Sequence, residues 1–393
     1  MSDLRVCHLG KHYPPAAGGI ETHVRVLSQA QADLGLSVEV FCLNHERGPT
    51  VREHDGAVAV TRFRRAASFA KIDYCPELVR ALARVEADVV HIHVPNPTML
   101  LSLLRARPRA AIVATYHSDV VRQRLRGALF RPLERLAYRR IRAIVSDSPN
   151  YFEGSRFLRP YRDRMHVLPI GIDLHAYLEP SPRELAEAAR IRARHADAGP
   201  VWLAVGRLVY YKGFPHAIRA LTRVPGTLLI VGRGPDEPLL RAETKKLGLE
   251  DRVVFVGALP HYLDIVPYYH AADALWFPSN ARSEAFGLVQ VEAMASGLPV
   301  INTYIPHSGV SWVSLHEQTG LTVAMNDPVA LADAAGRLLH EPGLRARLAA
   351  AARRRAIDHF DQATMAERSL EIYQSILTPV EPASLKSIHA HVL

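Results

Sequence analysis

The fold of this 393-residue chain is decided by the stretch WFPSNARSEAFGLVQVEAMASGLPVI, residues 276–301. Its pattern predicts an apolar strand over residues 274–278, then a loop of small and polar residues, then an apolar run at helical spacing. Gly297 and Pro299 end the predicted helix, and a second strand begins at Pro299. A strand, a loop, a helix and a strand in this order are typical of an α/β domain with a parallel sheet.

Two carboxylates, Glu284 and Glu292, frame the predicted loop and helix. The first N–H groups of a helix lack internal partners and carry a partial positive charge, so they can bind phosphate. A carboxylate repels phosphate, but it accepts hydrogen bonds from neutral sugar hydroxyls. Two glutamates at this spacing are usually a solvated helix face. Here the loop between them favours a site for a nucleotide sugar.

The phrase from Glu284 to Glu292, followed by Ala-x-Ala-x-Gly-x-Pro-Val, resembles the signature of the family-4 retaining glycosyltransferases. The resemblance implies that Glu284 holds hydroxyls of the transferred sugar and that Glu292 holds the ribose. The backbone N–H groups that would reach the sugar and the phosphate belong to Ala285, Phe286, Gly287 and Leu288. Later in the chain, Ser311 stands where this family usually has a glutamate.

Composition places the chain among globular proteins with two domains. The apolar fraction is 48% and the charged fraction 22%, which suits a folded soluble protein, and 393 residues exceed one ordinary core. No apolar run reaches the roughly 18 residues of a membrane span, and the N-terminus does not resemble a signal peptide. The three scattered cysteines predict free thiols in a reducing cytosol.

The positive charge is concentrated in the first half. Up to Leu178 there are 26 Lys and Arg against 17 Asp and Glu, whereas the remainder has 22 of each. A basic surface can attract nucleic acid, phosphorylated ligands or anionic membrane. Because no nucleic-acid motif accompanies the charge, a membrane or a phosphorylated acceptor is preferred.

Strands and helices alternate through the first half, which predicts a doubly wound parallel sheet. Gly18 and Gly19 lie between the first predicted strand and the first helix, where open α/β sheets bind ligands. Glycines there are free to take a positive φ and leave the backbone accessible. The family has a Gly-Gly element in this turn facing the donor phosphates. The absence of G-x-G-x-x-G argues against a nicotinamide dehydrogenase.

His117 follows the fifth predicted strand, and Asp119 is two residues further on. Most of the 20 histidines are expected to be structural, but the carboxyl end of a strand is a favourable place for a functional one. In the family a histidine here lies beside the transferred sugar. Thr115-Tyr-His-Ser-Asp119 resembles the branch that uses mannose or rhamnose donors in surface-polysaccharide assembly. Asp119 would hold the imidazole or contact the acceptor.

Eight arginines between residues 122 and 142 alternate with leucines at roughly helical spacing. Such a basic amphipathic stretch can rest on anionic lipid. The alternative is a solvated helix whose apolar face packs on the sheet. Contacts to the acceptor or to the membrane are assigned to Arg122, Arg124 and Arg126.

A strand ending in Gly206-Arg207, with Lys212 five residues later, places two cations at one strand end. Guanidinium binds phosphate oxygens in pairs and ammonium adds a point charge. In the family, the Arg and Lys of this phrase hold the donor diphosphate. Gly232 belongs to a Gly-x-Gly-Pro turn that the family shares, and Gly257 lies where the family surrounds the nucleobase.

The resemblance covers nearly the whole chain and implies a GT-B fold, an α/β architecture of two Rossmann-like domains facing across a cleft. The expected parts are an acceptor-binding domain over residues 1–178, a donor-binding domain over 179–362, and a helix and tail over 363–393 that return to the first domain. The catalytic set is Glu284, His117, Arg207 and Lys212. No Asp-x-Asp pair occurs in the sequence, so neither a metal nor a cofactor is expected.

The expected reaction is retaining transfer of a hexose. GDP-mannose or GDP-rhamnose is the favoured donor, and a polyprenyl-diphosphate-linked oligosaccharide at the inner membrane face is the favoured acceptor. Three alternatives stay open: a UDP-sugar enzyme with a soluble acceptor, a GT-B epimerase, and a non-catalytic saccharide-binding protein. The last would not require Glu284, Glu292, Arg207 and Lys212 together.

Overall fold

The computed structural model describes residues 4–378 apart from 17, 47, 70–71, 118–123 and 196–198, without the side chains of 69 and 124–130. It contains one mainly parallel β-sheet in each half of the chain, with helices on both faces, so the predicted pair of Rossmann-like domains is confirmed. None of the described helices is long and apolar enough to cross a membrane.

The first sheet has eight strands in the order β10-β9-β8-β7-β1-β2-β4-β3. The strands of the first half are β1 Arg5–Leu9, β2 Ser37–Leu43, β3 Val51–Asp55, β4 Val58–Phe63, the separate hairpin β5 Ala67–Phe69 and β6 Ile72–Tyr74, β7 Val89–Val94, β8 Ala111–Tyr116, β9 Ile141–Ser146 and β10 Met165–Val167. Its helices are α1 Gly19–Asp33, α2 Pro76–Ala83, α3 Pro97–Ala106, α4 Arg124–Tyr138 and α5 Pro149–Gly154.

All ladder pairs of this sheet are parallel except the pair of β3 with β4. The sequence did not predict β3. Residues 51–54 are exposed, and only Val51 is apolar, so this edge strand lacks the alternation that burial of one face produces. The ion pair of Arg62 with Glu53 at 2.7 Å helps to fix β3 against β4.

The second sheet has six parallel strands in the order β13-β12-β11-β14-β15-β16. These strands are β11 Val201–Val205, β12 Thr227–Val231, β13 Val253–Gly257, β14 Ala274–Phe277, β15 Val300–Tyr304 and β16 Gly320–Ala324. The remaining helices are α6 His175–Leu178, α7 Pro182–His195, α8 Phe214–Ala220, α9 Glu237–Lys246, α10 Val266–Ala271, α11 Leu288–Ala295, α12 Val310–Val313, α13 Pro328–His340, α14 Leu344–Phe360 and α15 Gln362–Leu377.

The last helix, α15, returns to the first domain. Its Met365, Ile372 and Tyr373 side chains are buried in the same apolar cluster as residues of α1 and β2. The Gln31 amide of α1 donates hydrogen bonds to Ser369 Oγ at 2.7 Å and to Tyr373 Oη at 3.0 Å. The first domain is therefore completed by α15, which follows the second domain along the chain.

Candidate active site

The site residues predicted in the second half lie on neighbouring turns at one edge of the second sheet. Arg207 and Lys212 follow β11, Gly232 follows β12, Gly257 ends β13 and Glu284 follows β14. The carboxyl ends of parallel strands meet at the same edge. The fold thus brings these separate sequence motifs to one side of the domain.

Lys212 and Glu284 form an ion pair in this group. The Lys212 ammonium lies 2.6 Å from Glu284 Oε2, and both side chains are about nine-tenths buried, at 12% and 10% exposed. Ser279 donates a second hydrogen bond to the same carboxylate oxygen at 3.1 Å. The sequence assigned the two residues to different parts of a ligand. The structure shows that each also fixes the position of the other.

Glu292 accepts a hydrogen bond from the Tyr269 hydroxyl of α10 at 2.6 Å. Burial raises the pKa of Glu292, while this hydrogen bond and the charge of Lys212 act in the opposite direction. Tyr269 is itself buried, and it was not predicted as a site residue. No pattern in the sequence distinguishes it from the adjacent Tyr268, because only the packing of α10 in the folded domain decides which tyrosine reaches Glu292.

The turn before α11 is shaped by Gly287, whose φ is +80°. A Cβ at this position would lie 2.6 Å from the ring of Phe277, so a side chain is excluded by both the conformation and the space. Gly287 provides no side-chain cap for α11. The backbone from Ala285 to Leu288 therefore passes close to β14, with the buried Phe286 ring as its anchor.

Close backbone contacts explain why two other positions of this region require glycine. A Cβ at Gly232 would overlap the carbonyl oxygen of Gly206, and a Cβ at Gly213 would overlap the carbonyl oxygen of Pro278. Gly213 has a φ of +68° and follows Lys212 directly. These contacts hold the turns after β11, β12 and β14 against one another.

Arg207 is exposed at the end of β11, and within the described part of the chain it forms no ion pair. On the opposite domain, Gly18 has a φ of 164°, which is extended backbone, and Gly19 begins α1 without a positive φ. Neither glycine of this pair uses the positive φ that is open to it. A Cβ at Gly19 would meet nothing within 4 Å, so the backbone at this turn is accessible.

His117 follows β8 and is half-buried. Its Nε2 lies 3.2 Å from Nδ1 of His93, and its ring contacts His23 edge to face at 4.9 Å between centroids. Burial lowers the pKa of His117 to about 4. The partner of His117 among the described residues is thus another histidine, while Asp119 lies outside the described residues.

Four buried histidines that the sequence analysis did not single out form a cluster with His117: His23 and His93 contact it, and His8 and His91 contact His93. His8 and His91 are register partners on β1 and β7. His91 and His93 are two residues apart on one strand, so both side chains lie on the same face. This spacing is the sequence feature from which part of the cluster could have been predicted. The position of His8 beside them depends on the strand order, which the sequence alone does not give.

The chain matches the family described as Glycosyl transferases group 1 over residues 186–355 and the Glycosyl transferase 4-like domain over residues 18–171. It is 32% identical to O-antigen chain mannosyltransferase C of Escherichia coli, covering 95% of this chain and 99% of the relative. This chain is a group 1 glycosyltransferase. The predicted family is thereby confirmed.

This glycosyltransferase is also 34% identical to the D-rhamnosyltransferase WbpZ of Pseudomonas aeruginosa, over 86% of this chain and 87% of that protein. Its structure is similar to that of Anabaena HepE in complex with UDP, with a TM-score of 0.74, 21% identity and coverage of 95% and 100% of the two chains. At that identity the likeness concerns the fold, and it confirms the GT-B architecture predicted from the sequence.

The two domains of the glycosyltransferase touch directly beside the Glu284 turn. Ser308, which is fully buried, donates a hydrogen bond to the Glu284 carbonyl at 2.5 Å, and the Asn150 amide of α5 donates to the Ser308 carbonyl at 3.3 Å. The Arg282 guanidinium donates to the carbonyls of Tyr151 and Gly154 in α5. The sequence analysis missed these interdomain residues.

Four residues assigned to the acceptor or the membrane cannot be placed in the same detail. Asp119 and Arg122 lie outside the described residues, whereas Arg124 and Arg126 are on α4 with only their backbones described. Further along this helix of the glycosyltransferase, Leu133 and Leu136 are 40% and 48% exposed. The exposed arginines around them are Arg131, Arg135 and Arg139.

Proposed function

We propose that this glycosyltransferase transfers mannose from GDP-mannose, with retention and without a metal ion, to a polyprenyl-diphosphate-linked oligosaccharide. The observation that carries the proposal is the buried Lys212–Glu284 ion pair beside the Glu292–Tyr269 hydrogen bond, at the strand ends that face the other domain. Mannose is favoured by the Thr115-Tyr-His-Ser-Asp119 phrase and by the similarity to an O-antigen mannosyltransferase.

Each end of the donor has a matching group in this arrangement. Lys212 and Arg207 supply positive charge for the diphosphate, together with the backbone amides from Ala285 to Leu288. Glu284 accepts hydrogen bonds from hydroxyls of the sugar. Because Lys212 holds Glu284 at 2.6 Å, sugar and diphosphate are bound as one unit and their positions are coupled.

Glu292 is assigned to the ribose, whose two hydroxyls can both donate to a carboxylate. The hydrogen bond from Tyr269 occupies one oxygen of Glu292 and orients the other. A raised pKa does not prevent this role, because a protonated carboxyl group still accepts through its carbonyl oxygen. This contact would select a nucleotide without reading its base.

The chemical step we propose takes place on one face of the sugar. The acceptor hydroxyl oxygen forms a bond to the anomeric carbon as the bond from that carbon to the diphosphate oxygen breaks. The acceptor proton passes to the departing phosphate oxygen, and the two negative charges of the leaving group are balanced by Arg207, Lys212 and the amides. Preorganised charge of this kind is often the largest contribution to catalysis. His117 contacts the sugar from the opposite domain.

The acceptor is proposed to be lipid-linked because α4 combines exposed leucines with exposed arginines. Leu133 and Leu136 can enter the headgroup region while Arg131 and Arg135 contact lipid phosphates. This would hold the enzyme peripherally on the inner face of the cytoplasmic membrane. The excess positive charge of the first half acts in the same direction.

A donor panel tests the substrate assignment. The protein is incubated with GDP-, UDP- and ADP-sugars in EDTA, with and without a lipid extract, and the released nucleoside diphosphate is measured. We expect GDP release from GDP-mannose that requires the lipid extract. Release from a UDP-sugar into a soluble acceptor would replace this proposal with the UDP-sugar alternative. Conversion of the donor sugar without nucleotide release would indicate an epimerase.

The role of Glu284 is tested with Glu284→Gln, which keeps the size of the side chain and removes the charge. We expect turnover to fall by about 100-fold or more, because both the hydroxyl contact and the position of Lys212 depend on the carboxylate. Glu341→Gln is the matched control, since among the residues that the structure describes the Glu341 side chain pairs with Arg337 of α13 at an exposed position. Wild-type turnover in folded Glu284→Gln protein would refute the assignment.

A further inference from the structure

A line of buried hydrogen bonds runs from α15 to His117. It begins at Ser369, whose hydroxyl donates to the Ala366 carbonyl at 2.7 Å within the helix. The single proton of the hydroxyl is used there, so Ser369 Oγ can only accept from Gln31, which lies 2.7 Å away. This fixes the orientation of the Gln31 amide: its nitrogen faces Ser369 and its oxygen faces His8.

The direction of each further bond follows from that orientation. Gln31 Oε1 only accepts, so His8 must carry its proton on Nε2, 2.7 Å away. A neutral imidazole has one N–H and one lone pair, so His8 Nδ1 accepts from His93 Nε2 at 3.1 Å. His93 Nδ1 then accepts from His117 Nε2 at 3.2 Å. Burial lowers the pKa of all three histidines, which keeps them neutral.

We propose that this directed chain sets the tautomer of His117, so that its Nε2 carries the proton and its Nδ1 presents a lone pair to a donating hydroxyl of the substrate. Gln31, His8 and His93 are then positioning residues for His117. The choice of hydroxyl as the ligand rests on the proposed function. The tautomer itself rests on the hydrogen bonds and on the burial that keeps the three rings neutral.

The arrangement has a consequence for specificity. A lone pair on Nδ1 accepts a hydrogen bond but cannot donate one. The sugar position that meets His117 must therefore carry a hydroxyl that donates, and a fluorine or methoxy group there would lose the interaction. Because the line of hydrogen bonds starts in α15, the last of the described helices contributes to recognition without touching the substrate.

The direct test is nitrogen NMR of the full-length protein with ¹⁵N-labelled histidine, in EDTA and without substrate. Signals of His117 are assigned by comparison with His117→Gln. We expect Nε2 of His117 to be protonated and Nδ1 to be bare. A protonated Nδ1 would overturn the proposal. As a control, EDTA is replaced by buffer with zinc at the same concentration as the protein. A change in the His93 and His117 signals would show that these nitrogens bind a metal, and it would also overturn the proposal.

Two substitutions at His93 separate positioning from packing. The Asn oxygen of His93→Asn can take the place of Nδ1 and accept from His117, whereas His93→Leu removes the acceptor at similar size. We expect His93→Leu to show mixed His117 tautomers and about tenfold lower kcat. His93→Asn should keep the single His117 tautomer and the kcat of the wild type. Thermal unfolding verifies that both variants are folded. An unchanged His117 tautomer in His93→Leu would overturn the proposal. The NMR result for the wild type does not depend on a donor or on turnover, so it stands or fails separately from the proposed function.

Discussion

On the C-terminal side of the cleft the Lys212 ammonium lies 2.6 Å from the Glu284 carboxylate, whereas on the N-terminal side the polar interior consists of stacked and hydrogen-bonded histidines. The first arrangement uses opposite charges that compensate each other. The second uses side chains that must stay neutral. His8, His23, His91 and His93 are all buried, and burial lowers the pKa of each.

Under the proposed function, the difference follows from what each side would bind. A departing diphosphate carries negative charge, so fixed positive charge is required there, and the partner carboxylate keeps the lysine compensated in a buried position. In the proposed function the N-terminal side contacts hydroxyls, for which neutral donors and acceptors suffice. Neutral polar groups are less costly to bury than ions, provided that they are hydrogen-bonded.

The largest effect expected from this contrast is a loss of stability of the N-terminal domain in acid. Folded-state pKa values of about 4 for His8 and His117 lie below the ordinary 6.5, so the unfolded chain binds more protons in this interval. Stability is therefore complete above about pH 6.5 and decreases as the pH falls towards 4. Between pH 7.5 and pH 5.5, His8 and His117 alone should lower the free energy of unfolding by about 3 kcal/mol. The lowered pKa values of His23, His91 and His93 act in the same direction.

Hydrogen exchange of peptides from β1 and β7, compared with peptides from β11 and β14, measures this effect in each domain. Protection of the first pair should decrease with falling pH well before that of the second. His54→Gln, at an exposed position on β3, is a control that should leave the profile unchanged. Equal loss of protection in both domains would show that the contrast between the two interiors has no thermodynamic consequence.

A second way to sharpen the comparison is to disturb the charged side through its backbone. Gly213→Ala introduces a Cβ that overlaps the Pro278 carbonyl, at a φ of +68°. Gly343→Ala has a similar φ of +74° but meets nothing within 4 Å. We expect about 2–4 kcal/mol of destabilisation for Gly213→Ala and about 1 kcal/mol for Gly343→Ala.

Urea unfolding of both variants measures the difference, and nucleotide binding shows its functional part. Gly213→Ala should also weaken the binding of a nucleoside diphosphate, because the clash moves Lys212 away from Glu284. Gly343→Ala, at the start of α14, should bind normally. Similar destabilisation in both variants would mean that the positive φ alone, and not the contact with the turn after β14, requires glycine at 213.

Much of this contrast was accessible from the sequence, but only on the charged side. The motifs of the charged side each follow a predicted strand, so their position at one edge of the sheet could be predicted. They contain Arg207, Lys212, Glu284 and Glu292. The direct bond between Lys212 and Glu284, 72 positions apart, could not, because it depends on side-chain directions in the folded turns. Buried strands such as β7 and β11 were predicted because burial requires a run of apolar residues in the sequence. The exposed edge strand β3 has no such run, and it was missed.

The histidine cluster shows the limit more clearly. His91 and His93 lie on one face of β7 by simple alternation. Their contact with His8 requires that β1 and β7 be neighbouring strands and that His8 lie opposite His91. Their link to α15 requires that the last helix return to the first domain, which only the family resemblance suggested. Long-range order of this kind is not encoded in any local stretch.

The smallest effect in this series concerns Glu292, whose carboxylate is held by a neutral tyrosine hydroxyl, whereas Glu284 is held by the Lys212 ammonium and the Ser279 hydroxyl. Tyr269→Phe removes the hydroxyl that donates to Glu292 at 2.6 Å and keeps the ring packed against Tyr177. A carboxylate that loses this donor is less well oriented, so a nucleoside diphosphate should bind about fivefold to tenfold more weakly, equivalent to about 1 kcal/mol. Titration calorimetry with GDP measures the affinity, and Tyr268→Phe on the adjacent position of α10 is the matched control. If Tyr269→Phe bound GDP as the wild type does, Glu292 would not need its neutral partner, and the charge of Lys212 would be sufficient to prepare both carboxylates of the site.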